Sequence, residues 1–209
     1  MMYRRLVLTA LLVCGLAFVS APVSANTSQS ADLTAQDFIK GLADEAVKAL
    51  TDKEVSRDER IQRFHDLFGS NFDVPFIGKW VLGRYWKKAS DEEKEEYLKL
   101  FKEYVVVSYV ERFDQYSGEQ IEVVKTVSDP GKDSIVYSEI RRPAGGEPIR
   151  VNWRVRNKSD IYKIIDVHVE GISMSQSQRK EFTSVIRSNG GKVSGLNEVL
   201  RKKLDALSK

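Results

Sequence analysis

The chain is short of the side chains that carry most enzymatic chemistry. Its 209 residues include one cysteine, Cys14, and two histidines, His65 and His168. One thiol builds neither a disulfide framework nor a cysteine-ligated zinc site. His65 falls on a helical pattern and His168 on a strand pattern, and a metal there would need carboxylate help that the sequence does not display. The HExxH, GxSxG and P-loop patterns are absent. An excess of one charge is missing as well: 33 basic side chains face 30 acidic ones, mixed in sign along the sequence. That is the pattern of a solvated surface rather than of a basic stripe, and it argues against nucleic acid as the main partner. No internal repeat, low-complexity segment or linker interrupts the chain.

Long apolar runs are few, and the clearest opens the chain. Arg4 and Arg5 form a positive end, Leu6 to Val19 an apolar run, and Val23-Ser24-Ala25 a small-residue exit. Residues 1–25 therefore read as a cleavable secretory signal. The run is too short for a membrane span, which needs about 20 apolar residues. Cys14 lies in the middle of that run behind Val13, a poor site for lipoprotein processing, so it is expected to leave with the signal. Residues 26–209 would then form a single domain without cysteine, held together by its core alone.

Past a polar start at Asn26 to Ser30, expected to be loose, the first half has helical periodicity. A first helix is expected from about Thr34 to Leu50, with Phe38, Leu42, Val47 and Leu50 near one face. A second begins at the capping box Ser56-Arg57-Asp58-Glu59, carries Ile61, Phe64, Leu67 and Phe68, and is expected to stop at Gly69. Val74 to Leu82 makes a short apolar third, with Pro75 in its first turn and Gly83 as its stop. Ser90-Asp91-Glu92-Glu93 is a capping box for a long fourth helix, Asp91 to about Tyr116, with Gly118 after it. Leu98, Phe101, Val105, Tyr109, Arg112, Phe113 and Tyr116 recur along it at spacings of three or four, so its buried face is unusually aromatic.

The period then changes from helical to alternating. Ile121, Val123, Lys125 and Val127 alternate with Glu122, Val124 and Thr126, and Asp129-Pro130-Gly131 turns the chain into Ser134 to Arg142. Pro143-Ala144-Gly145-Gly146 leads to Ile149 to Arg156, and Asn157 to Asp160 leads to Ile161 to Val169. In the third strand Val151 and Trp153 should point into an interior pocket, and Arg150 and Arg154 away from it. Ser175-Gln176-Ser177-Gln178 reads as a capping box for a helix through Phe182, Val185 and Ile186 to Gly190-Gly191; a last helix carries Leu196, Val199, Leu200, Leu204 and Leu207. The expected class is α+β: a curved, mainly antiparallel sheet of about four strands wrapped by helices.

Asp166 and His168 lie two apart on one strand and so share a face without necessarily touching. They can be drawn as an acid–base pair of a small enzyme; the plainer reading is a partly buried carboxylate paired with an arginine or backbone donors. The aromatic residues leave two readings open as well. Periodicity alone favours a close-packed core without a cavity.

Gly83-Arg84-Tyr85-Trp86, Phe101, Tyr104, Tyr109, Tyr116 and Gly118, followed by Trp153, Asp166, Glu170-Gly171-Ile172-Ser173-Met174, Arg179, Phe182 and Gly191, resemble the MlaC family in kind and order. The resemblance covers most of the chain beyond about residue 36. It implies a periplasmic phospholipid carrier without catalysis, whose only bound group is its lipid cargo. It further implies exchange with an inner-membrane MCE-protein and ABC-transporter complex on one side and an outer-membrane lipoprotein complex on the other. The implied pocket lies between sheet and helices. Candidate walls are Trp80, Val81, Tyr85, Trp86, Phe101, Tyr104, Val105, Tyr109, Val151, Trp153, Val167, Val169 and Met174. A hopanoid or other lipid carrier is the near alternative, because relatives linked to hopanoid synthesis share the pattern.

Overall fold

The computed structural model describes residues 26–52, 54–110, 116, 118–128 and 133–207, with side chains from residue 35 onward. The expected signal, Arg112, Phe113 and the turn at Asp129-Pro130-Gly131 lie outside the described residues. Helix α1 spans Asn26–Leu50, so the expectation of a loose start at Asn26 is corrected. Residues 26–33 contain no proline or glycine to keep a helix from extending through them.

Helix α2 spans Arg57–Asn71 behind the N-cap Ser56, whose hydroxyl accepts the Glu59 N–H at 3.2 Å. Gly69 does not end it, contrary to expectation. A Cβ at that position would lie 2.8 Å from Lys102 Nζ, so the glycine lets a neighbouring lysine pass close to the helix. Asp73 caps α3 (Val74–Leu82) by accepting the Phe76 N–H at 3.1 Å, and Gly83 ends α3 at φ 55° before a 3-10 turn, Gly83–Tyr85. The capping box of α4 (Asp91–Val110) is reciprocal: Glu93 N–H donates to Ser90 Oγ at 3.1 Å and Ser90 N–H to Glu93 Oε2 at 3.0 Å. Tyr116, expected as the last helical residue, lies in irregular backbone.

Strands β1 (Gln120–Ser128), β2 (Ser134–Arg141), β3 (Ile149–Lys158), β4 (Ile161–Val169) and β5 (Ile172–Ser173) form an antiparallel meander in sequence order. A bulge at Val124 shifts the register between Val123 and Lys125, which breaks the expected alternation: Val127 is exposed and Thr126 turns inward. Ser159 and Asp160 have φ 51° and 61°, and Glu170 and Gly171 have φ 50° and 80°, so both connections are two-residue hairpins with positive φ at each central position. The second hairpin adds the fifth strand that the alternation did not reveal. It also moves the next helix, because α5 (Met174–Ser188) is capped by Ser173, whose hydroxyl accepts the Gln176 N–H at 3.0 Å, and not by Ser175. Helix α6 (Val193–Leu207) completes the chain.

The interior has two parts. Helices α2 to α6 share one core, with Tyr97 completely buried between Phe101 and Phe182 and its hydroxyl donating to the Gly78 carbonyl at 3.2 Å. The other lies between α1 and the sheet, around Ile39, Val136, Val155 and Ile164. Phe72 touches both, and its neighbour Asp73 donates its N–H to the Ile164 carbonyl at 2.9 Å, which fastens the helical layer to the edge of β4.

An apolar cavity between the helices and strand β4

Four helices and one strand leave a cavity of about 230 Å³ among them. Helix α2 and its C-cap contribute Phe64, Phe68 and Phe72; α3 contributes Ile77 and Val81; α4 contributes Phe101, Val105 and Tyr109. The remaining wall comes from Asp166, Val167 and Val169 on β4 and from Met174, Ser175 and Gln178 on α5. Helical spacing explains the lining, since Phe64/Phe68/Phe72 and Phe101/Val105/Tyr109 each recur every four residues along one face. The polar members sit together on the β4 and α5 side, so the cavity has an aromatic side and a polar side.

Of the expected wall residues, the structure brings Val81, Phe101, Val105, Tyr109, Val167, Val169 and Met174 to the cavity. The other six lie elsewhere. Trp80 is on the surface, with the Arg179 guanidinium 5.0 Å over its ring. Tyr85 is buried with its hydroxyl beside Arg84. Trp86 packs on the helical core under Lys94, and Tyr104 tilts against Phe182 and takes Lys203 at its hydroxyl. Val151 is buried across from Ser138 and Val169, and Trp153 packs in the α1 core, with Nε1 donating to Ser138 Oγ at 3.0 Å. The expectation that Val151 and Trp153 face the cavity is thereby corrected: neither lines it, and the interior before Trp153 is taken by α1, which packs against β1 to β3. Arg150 and Arg154 are exposed and bonded to Glu170 and Asp133. Sequence reasoning missed Phe64, Phe68, Phe72, Ile77, Asp166, Ser175 and Gln178 as lining residues; the aromatic ladder at intervals of four was the available signal for the first three.

Asp166 and His168 do touch, with Oδ2 and Nε2 3.1 Å apart. Asp166 Oδ2 also accepts the Ser173 hydroxyl at 2.6 Å, while Oδ1 accepts the N–H groups of Val167 at 2.9 Å and Ser175 at 3.1 Å. Burial pushes the carboxyl pKa up, but these bonds, with His168 beside it, outweigh burial and hold it below the usual carboxylate value. Two backbone N–H groups and one hydroxyl thus donate to the carboxylate, with the His168 ring nitrogen beside Oδ2. No arginine is among them; a helix N-terminus and a hydroxyl do that work, so Asp166 ties the β4–β5 hairpin to the start of α5. His65 is far from this cluster, its Nε2 3.2 Å from Glu103 Oε1 between α2 and α4. Among the described residues, no group of three His, Cys, Asp or Glu side chains is placed to hold a metal.

An antiparallel sheet wrapped by helices around a largely apolar cavity defines an α+β fold. The particular family follows from comparison: the model of the MlaC protein family matches residues 40–202, and the chain belongs to that family. It is 26% identical over 122 residues to the intermembrane phospholipid transport system binding protein MlaC of Haemophilus influenzae, a match covering 56% of each chain. The chain thus spans just over half the length of that relative. It is 24% identical over 162 residues to the toluene tolerance protein ttg2D of Pseudomonas putida, covering 75% of each. A phospholipid-binding protein from Ralstonia solanacearum, solved in complex with a phospholipid, shares the fold with a TM-score of 0.72 at 22% identity, over 84% of this chain and 99% of that one.

Proposed function

We propose that this protein is a periplasmic carrier of phospholipid that moves its cargo between the outer and inner membranes and so maintains outer-membrane lipid asymmetry. The apolar cavity walled by Phe64, Phe68, Val81, Phe101, Val105 and Val167 carries the reading, together with family membership and the phospholipid-related names of relatives. The physical need is plain: each exposed methylene costs about 0.8 kcal/mol, so a diacyl lipid with about 30 of them does not cross water unaided at a useful rate. The cavity of about 230 Å³ is below the roughly 300–1,000 Å³ typical of small-molecule pockets, so two acyl chains require its walls to part. Most of those walls are helices packed side by side, which separate by sliding without breaking backbone hydrogen bonds.

In this reading the protein carries out no reaction. Asp166 accepts the Ser173 hydroxyl and the Ser175 N–H and so ties the β4–β5 hairpin to the start of α5, which supports a structural role for this carboxylate. Cargo is exchanged with an inner-membrane MCE-protein and ABC-transporter complex and with an outer-membrane lipoprotein complex. Native mass spectrometry of protein purified from the periplasm tests the proposal. A co-purified diacyl phospholipid is the expected result; a hopanoid mass transfers the reading to another lipid. Absence of any lipid, with no uptake from labelled vesicles, rejects the carrier.

A further inference from the structure

The mixed charge of the whole chain hides a local imbalance. From Val74 to Ala89, α3 and the turn after it carry Lys79, Arg84, Lys87 and Lys88 and no carboxylate. Helix α5 lies against α3 and adds Arg179 and Arg187; its single acid, Glu181, is bonded to Lys203 at 2.8 Å. Arg84, Arg179 and Arg187 meet around Trp80, Gly83 and Tyr85 at the seam between the two helices, and Lys79, Lys87 and Lys88 are exposed near them in the chain. Arg179 stacks on Trp80 and lies where a Cβ on Gly83 would be, 2.5 Å from its Nη2. Arg84 donates to the Tyr85 hydroxyl at 3.2 Å, and Arg187 approaches the same phenol, so Arg84 foremost and then Arg187 lower its pKa. None of these cations has a carboxylate partner among the described residues. Trp80 stands at the surface beside them as one of the few large apolar side chains left exposed.

We propose that this face docks on an anionic lipid surface, with the cations on lipid phosphates and Trp80 at the headgroup level. Uncompensated positive charge with an interfacial aromatic side chain is the combination that draws a protein to an anionic leaflet. A protein interface is expected to have a buried apolar centre from which charges are depleted, whereas here cations surround Trp80. Position agrees: Val81 and Gln178, which line the cavity, are the chain neighbours of Trp80 and Arg179. Docking by this face therefore holds the cavity walls beside the membrane in which, on the carrier reading, the exchange complexes sit.

The test is co-sedimentation of the purified protein with sucrose-loaded vesicles, made either of phosphatidylcholine alone or of phosphatidylcholine and phosphatidylglycerol in equal parts. Binding is expected only to the anionic vesicles, and it should be lost in high salt because exposed charges are screened. Each cation near an anionic surface contributes about a fivefold gain in partitioning, so Arg84→Glu/Arg187→Glu should lower binding at least about 25-fold. Lys87→Glu/Lys88→Glu should do likewise without disturbing Tyr85, and it decides the matter if the arginine pair fails to fold. A blue shift of tryptophan emission on vesicle addition should vanish in Trp80→Phe. Full vesicle binding by a folded charge-reversed variant overturns the proposal. So does a wild-type protein that ignores anionic vesicles while the same variants lose lipid transfer, because the face then belongs to an acidic protein partner. Lipid extracted from the same preparations reports the cargo independently, so a failed docking surface is distinguishable from a failed carrier.

Discussion

If the cavity is a real void awaiting a chain, filling it should stabilise the empty protein while displacing cargo. Val105 is suited to this test, because it lines the cavity from the middle of α4 and is only partly buried. A void of about 230 Å³ costs at most about 5.5 kcal/mol at roughly 24 cal/mol per Å³. Val105→Phe brings four more carbons into that space, worth about 3 kcal/mol at about 0.8 kcal/mol each, before the entropy of fixing the larger side chain is subtracted. A net gain of about 1–2 kcal/mol remains. For a chain of this size that corresponds to a rise of about 2–8 °C in the melting temperature of delipidated protein. Circular dichroism melts of delipidated wild type and variant measure it, and organic extraction with phosphorus analysis measures retained lipid. A close-packed interior gives the opposite sign, since overpacking costs about 1–3 kcal/mol. A lowered melting temperature with unchanged lipid content would refute both the void and its role.

Gly83→Ala should destabilise the fold by about 2 kcal/mol in urea unfolding, because φ is 55° there and the new Cβ meets the Arg179 guanidinium; Gly83→Ala/Arg179→Ala should recover the steric part only. Asp166→Asn should cost about 1–3 kcal/mol near neutral pH by replacing a bonded carboxylate oxygen with an amide donor. The folded pKa of Asp166 is depressed, so its contribution is complete above the usual value of 3.8 and is lost as pH falls below it; the gap between wild type and variant should close over that acidic range. His168→Ala should leave vesicle-to-vesicle lipid transfer within about twofold, whereas loss of a general base costs about 10²-fold or more. A hundredfold loss with unchanged thermal stability would restore the enzyme reading of the Asp166–His168 pair.

The sequence by itself determined the local structure, because its signals act within four residues. Ser56, Asp73 and Ser90 mark helix starts through one or two hydrogen bonds each, and Gly83 ends α3 by adopting a positive φ that suits glycine. Alternation and turn residues identified β1 to β4 and their meander, and the order of aromatic and glycine residues pointed to the family that the match over residues 40–202 then showed. Gly69 shows where this reasoning ends: its local signal is a helix stop, but α2 runs through it to Asn71, with Lys102 of another helix close by. The bulge at Val124 likewise depends on pairing with β2, and it reverses which side chains of β1 face inward. Tertiary packing alone decided the site. Alternation required Trp153 and Val151 to face inward, and both are turned toward buried interior; that α1 occupies the interior before Trp153 follows from how a distant helix lies across β1 to β3. Phe101 and Tyr104 are three residues apart on one helix, yet one meets the cavity and the other turns to Phe182 and Lys203, because α5 and α6 occupy the adjacent face. A void is the space that many side chains from separate elements fail to fill, and no residue encodes it alone.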